Sequence, residues 1–115
     1  MPYIKEDSRL TLDECIENMV TCLGLNAFRA SYSELNNKTP EQLSNEDLLK
    51  IIGDINYVFS RVLGGLMGQI TYGKVAMITG VLENIKQEFY RRAASPYEDK
   101  KIAENGDIKE YRKLK

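Results

Sequence analysis

The sequence predicts an all-α protein: a small helical bundle built on an antiparallel helix hairpin, with an N-terminal helix and a short C-terminal helix. Three observations predict it. Apolar residues recur at three- and four-residue steps in three long windows. Capping residues open these windows, and glycine or proline closes them. No period-two run reaches strand length. Stripes of this kind bury their faces on one another when the connections are short.

The first window opens at Thr11, which has Glu14 at capping-box spacing, and Gly24 supplies a stop. Leu12, Cys15, Ile16, Met19, Val20 and Leu23 form its stripe, which sets a helix at about 11–23. Ala27, Phe28, Tyr32 and Leu35 fit a short helix that Asn36-Asn37-Lys38 ends. Thr39-Pro40-Glu41-Gln42 is a start signal, and Ser44 with Asp47 restarts the helix. The second long helix is expected from 45 to 67, with Leu48, Ile51, Ile52, Ile55, Phe59, Val62, Leu63 and Leu66 on its stripe. The third is expected from 72 to 94, with Val75, Ile78, Leu82, Ile85 and Phe89 on one face, and Pro96 ending it. Ser95-Pro96-Tyr97-Glu98 then opens a short helix from 96 to about 103, closed by Asn105-Gly106. A glycine-rich turn near 68–73 joins the second and third helices as a hairpin. Six of the eight glycines fall between Gly53 and Gly80, where close helix–helix approach is their expected use.

The chain of 115 residues is expected to form one domain, with 108–115 as a flexible tail. Hydrophobic residues at 43% and charged residues at 29% exclude a disordered chain. A net charge of −1 gives no global pull toward duplex nucleic acid or an acidic membrane. Residues 86–115, however, carry 9 Lys/Arg against 6 Asp/Glu, whereas residues 1–85 carry 7 against 11. Only the C-terminal quarter offers an anion a favourable field. Asp54, Arg61 and Lys74 interrupt the most hydrophobic stretch, so no membrane span is expected. The opening MPYIKEDSRL lacks the apolar region of a signal peptide, which points to the cytoplasm. Cys15 and Cys22 stand two helical turns apart, too far for a mutual disulfide, and are expected as buried thiols in a reducing compartment.

There is no histidine, which removes His-based triads, His-ligated metals and imidazole acid–base catalysis. Gly64-Gly65-Leu66-Met67-Gly68 is not a phosphate loop, because no Gly-Lys-Ser/Thr follows. Two thiols without CxxC spacing make a poor zinc site, and no cofactor is called for. Asp54, Glu83, Glu88, Glu98, Asp99, Glu104 and Asp107 are the carboxylates available to magnesium, but Glu14 and Glu17 make the sole Glu-x-x-Glu pair. A magnesium-dependent helical nucleotide pyrophosphohydrolase is therefore an alternative without its usual paired motifs.

The densest mix of aromatic and cationic residues is Tyr90, Arg91, Arg92, Tyr97 and Lys100. Guanidinium forks grip phosphates in bidentate fashion, tyrosine faces stack on bases, and a helix start at Ser95 would add amides that favour anions. The same arginines also suit a helix C-terminus paired to Glu88 or Glu98. Asn56 and Tyr57 lie just off the second stripe and are candidates for polar contacts to a ligand or across a subunit interface. The segments GDINYVFSRVL at 53–63 and GVLENIKQEFYRRAASPYEDKKIAENGD at 80–107, with the opening Met-Pro-Tyr-Ile, resemble a family of short helical proteins from bacteria, prophages and phages described as a domain of unknown function. The resemblance covers about half of the chain; residues 24–44 and the tail after Asp107 differ from the family's pattern. It implies a helical fold and a phage association and assigns no catalytic residue. The expected function is a non-enzymatic, homo-oligomeric binding protein that sequesters a nucleotide-like anion, such as a host-defence signal. The alternative in another class is an adaptor or inhibitor of a host protein.

Overall fold

The computed structural model describes residues 2–28 and 40–114 and is all-α. Its helices are α1 (Glu6–Phe28), α2 (Asn45–Lys50), α3 (Ile52–Met67), α4 (Tyr72–Phe89), α5 (Ser95–Asn105) and α6 (Lys109–Arg112). A 3-10 turn covers Pro40–Gln42, and a π-helical turn covers Tyr90–Ala94. The chain divides into two compact units, Tyr3–Ile70 and residues 1–2 with Thr71–Lys115.

In the Tyr3–Ile70 unit, α1 is longer at both ends than the Thr11 and Gly24 signals predict. It starts five residues before Thr11, so Thr11 is an interior position rather than a cap. Gly24 is passed without a stop, since one glycine costs only about 1 kcal/mol inside a helix. The predicted short helix over 25–39 is in part this extension; Tyr32, Leu35 and Thr39 lie outside the described residues. Ser44 caps α2 as predicted: its hydroxyl accepts the Asp47 amide at 3.1 Å, and the Asp47 carboxylate accepts the Ser44 amide at 3.1 Å.

The expected single helix over 45–67 is broken at Ile51, whose φ of −108° and ψ of 7° leave the α region. The Ile51 amide closes α2 on the Leu48 carbonyl, and the Ile51 carbonyl opens α3 by accepting from Ile55. This break turns Ile51 inward. Together with Ala27 near the end of α1 it is buried, and α1 packs on α2 beside them. Asn26 Nδ2 donates to Asp54 Oδ2 at 3.4 Å and ties α1 to α3. The chain leaves α3 through Gly68, whose φ of 55° and ψ of −118° require glycine.

Most side chains of the predicted apolar stripes nevertheless stay exposed. On α3, Ile52, Phe59, Val62 and Leu66 are 50%, 56%, 53% and 73% exposed. Leu12, Ile16, Met19 and Val20 of α1 are exposed, and so are Cys15 and Cys22, which corrects the expectation of buried thiols. The physical reason is the same for both: no layer of described residues covers the stripe that carries the thiols. The glycines also depart from expectation. Among the described residues, a Cβ at Gly24, Gly53, Gly64 or Gly65 would meet no atom of its own unit within 4 Å, and the same holds for Gly73 and Gly80 in the other unit, so no close helix contact within either unit rests on them.

In the other unit, Thr71 caps α4 by accepting the Lys74 amide at 3.2 Å. The predicted stop at Pro96 is not there. Tyr90–Ala94 widens into a π turn in which the Ser95 amide bonds to the Tyr90 carbonyl, five residues back, and α5 continues to Asn105. Proline forbids an ordinary helix interior because it lacks an N–H and its ring strikes the carbonyl four residues earlier. A wider turn directly before Pro96 relieves both conflicts, and the helical path survives. Asn105-Gly106 ends α5 as predicted, with Gly106 at φ 87°. The tail expected to fray instead forms α6, where the Asp107 carboxylate accepts the Ile108 amide and its carbonyl accepts from Arg112.

Candidate functional site

The π turn sets the geometry around Tyr90. Eight residues along a regular α-helix advance the direction by about 80° from alignment, at 3.6 residues per turn. The extra residue absorbed by the π turn reduces the mismatch to about 20°. Tyr90 and Glu98 therefore come into line, and the Tyr90 hydroxyl donates to Glu98 Oε2 at 2.8 Å. The bond to Glu98 and the carboxylate's negative charge raise the Tyr90 pKa above the ordinary value of 10.0.

Arg91 lies on the same turn with its guanidinium forked on the Glu88 carboxylate, so the local pairing weighed from the sequence is present. Arg92 and Lys100 are exposed and make no hydrogen bond or ion pair among the described residues. Tyr97 sits beneath Lys101, whose ammonium is 5.6 Å from the ring centroid and also pairs with Glu104 at 3.1 Å. Two expectations are corrected here. Ser95 opens no new helix with free amides, because its N–H is spent on Tyr90. Arg91 and Arg92 do not occupy a helix C-terminus, because the helical path runs on through α5.

Asn56 and Tyr57 belong to the other compact unit and are described within it. Asn56 shares a shallow apolar depression with Ile52, Ile55 and Phe59 on one face of α3. The Tyr57 hydroxyl accepts from Arg61 Nη1 at 2.7 Å, with the guanidinium 5.5 Å from the ring centroid.

The sequence reading missed a cleft of about 340 Å³ between α5 and α6. Glu98, Lys101 and Ile102 form one wall; Gly106, Asp107, Ile108 and Tyr111 form the other. It exists because Gly106 takes a positive φ and sends α6 back along α5. The spacing of Ile108 and Tyr111, three residues apart after Asn-Gly, was the available signal. The cleft joins the predicted stretch through two residues: Glu98 holds Tyr90, and Lys101 covers Tyr97. Among the described residues, no three of His, Cys, Asp and Glu gather closely enough to hold a metal ion, and no helix is long and apolar enough to cross a membrane.

What this arrangement offers chemically is a pair of uncommitted cations, two tyrosine faces and a mostly apolar cleft with two carboxylates, Glu98 and Asp107. A family model described as "Domain of unknown function (DUF6899)" matches residues 1–108, which takes in residues 24–44 and ends just before α6. No curated protein and no solved structure matches the chain.

Proposed function

The chain belongs to the DUF6899 family, whose description names no activity, and we propose that it is a non-enzymatic binding protein that captures a nucleotide-like anion on the Tyr90–Tyr111 segment. The observation that carries this reading is the division of labour on the π turn and α5. Glu88 and Glu98 occupy Arg91 and Tyr90, which stiffens the turn, while Arg92 and Lys100 keep their charges uncommitted. Tyr97 and Tyr111 add exposed faces of the kind on which bases stack. The setting we propose is the cytoplasm of a bacterial host, with a phage-encoded protein lowering the free level of a nucleotide signal used in defence.

The protein works as an assembly of its own copies. The exposed parts of Ile52, Phe59, Val62 and Leu66 amount to roughly 450 Å², the apolar share of the ~800 Å² that each partner gives up in a standard interface. A twofold pairing of α3 with α3 of a second copy covers this stripe in both chains at once.

A thermal-shift screen against nucleoside mono-, di- and triphosphates and cyclic nucleotides tests the ligand reading, since saturating ligand stabilises by RT ln(1 + [L]/Kd). The expected result is a rise in Tm with at least one class that is lost in an Arg92→Ala, Lys100→Ala double variant. No shift with any of them at millimolar ligand overturns it. Solution mass tests the assembly, and a monomer at micromolar concentration overturns that part.

A further inference from the structure

We infer that the α5–α6 cleft is a base pocket selective for guanine, with the Glu98 carboxylate as its reader. This inference rests on the nucleotide reading above and adds the identity of the base. The cleft has two kinds of wall. Ile102, Ile108 and the Tyr111 ring are flat and apolar, which suits a planar heterocycle. Glu98 and Lys101 are the polar groups on the α5 side.

A carboxylate carries about four lone-pair positions and only accepts hydrogen bonds. The Tyr90 hydroxyl takes one of those on Oε2 and fixes the orientation of the group, which lines the cleft and accepts no other hydrogen bond among the described residues. The Asp107 carboxylate on the facing wall accepts the Ile108 amide on Oδ1; Glu98 is the carboxylate that stands one turn from Lys101 on α5, so it is the one that offers a paired acceptor and donor to a ligand. Guanine presents a ring N–H and an exocyclic amino group side by side, two donors matched to two carboxylate oxygens. Its neighbouring carbonyl is an acceptor suited to the Lys101 ammonium. Adenine places an unprotonated ring nitrogen beside its amino group, so one carboxylate oxygen would face a lone pair. A site built to hydrogen-bond one edge discriminates against the edge that leaves its polar groups unpaired. Tyr90 acts through Glu98 and is a positioning residue.

The test is calorimetric titration of the full chain with guanosine triphosphate, adenosine triphosphate, guanosine and inorganic triphosphate, repeated with Glu98→Gln and Tyr111→Ala. The inference expects guanosine triphosphate to bind at least tenfold tighter than adenosine triphosphate. It expects Glu98→Gln to erase that preference while the helical circular dichroism is retained, and Tyr111→Ala to weaken every base-bearing ligand without altering inorganic triphosphate. Equal affinity for the two nucleotides, or a preference that survives Glu98→Gln, overturns the base pocket and leaves the anion reading standing. Guanosine binding with no gain from phosphates upholds the pocket and overturns the anion reading. No binding of any of the four overturns both.

Discussion

The Tyr90 hydroxyl donates to the Glu98 carboxylate at 2.8 Å across eight residues of helix, a pairing that the π turn between them makes possible. The bonded form of Tyr90 is the protonated phenol, so its pKa lies above the ordinary 10.0, first through the bond to Glu98 and then through the carboxylate's charge. The folded state thus holds this proton more tightly than the unfolded state. The contribution is complete below about pH 10 and is lost as pH rises through the raised value. In a phenolate absorbance titration, one of the seven tyrosines should ionise late, and Glu98→Gln or Tyr90→Phe should remove that late step. A wild-type profile identical to that of Glu98→Gln would contradict the pairing.

Pro96 is the reason for the π turn, and its replacement separates helix stability from site geometry. Pro96→Ala restores an N–H and lifts the constraint that the π turn accommodates, so the α4–α5 path should relax toward a regular helix with a gain of up to about 1 kcal/mol. The same change should rotate Glu98 out of line with Tyr90 and return that tyrosine to ordinary titration. A variant that is stabilised but keeps the late tyrosine would show that the turn has another cause.

Two threonines, one a cap and one inside a helix, should behave differently. Thr71→Ala removes the hydroxyl that accepts the Lys74 amide and should cost about 1 kcal/mol in denaturant unfolding. Thr11→Ala lies inside α1 and should be neutral or slightly stabilising, because alanine is the better interior residue. The reverse order would put the start of α1 back at Thr11.

Gly106 takes φ 87° and ψ 153°, a region that side chains avoid, and it directs α6 back along α5. Gly106→Ala should cost about 1–3 kcal/mol and open the α5–α6 cleft, although a Cβ there would touch nothing within 4 Å. Unchanged stability and unchanged ligand affinity would detach the cleft from the site.

Much of the fold is legible because its signals are local. Ser44 with Asp47 and Gly106 after Asn105 each act within one turn, and both do what their chemistry predicts. The failures come where a local rule has more than one physical solution. Thr11 with Glu14 has the spacing of a cap, but the same pair fits a helix interior, and helix-forming residues on both sides carry α1 past it. Leu48, Ile51, Ile52 and Ile55 continue one stripe on paper, whereas the chain breaks at Ile51 and buries that side chain. Proline at 96 reads as an end because the usual α spacing cannot hold it; a single five-residue turn can. That one register change is also why the Tyr90–Lys100 stretch was visible from composition while the Tyr90–Glu98 pairing was not. The cleft was hidden for a related reason, since it depends on the fold-back at Gly106 and the ordering of α6.

The central claim is that the Tyr90–Tyr111 segment, with Arg92 and Lys100 uncommitted, is where this protein meets its ligand. Backbone amide NMR spectra recorded during a titration with guanosine triphosphate test it most directly. The account predicts saturable shifts concentrated between Tyr90 and Tyr111, with Arg92, Lys100 and Glu98 among the largest. Shifts confined to α1 or α3, or spectra that do not change at millimolar nucleotide, would contradict it.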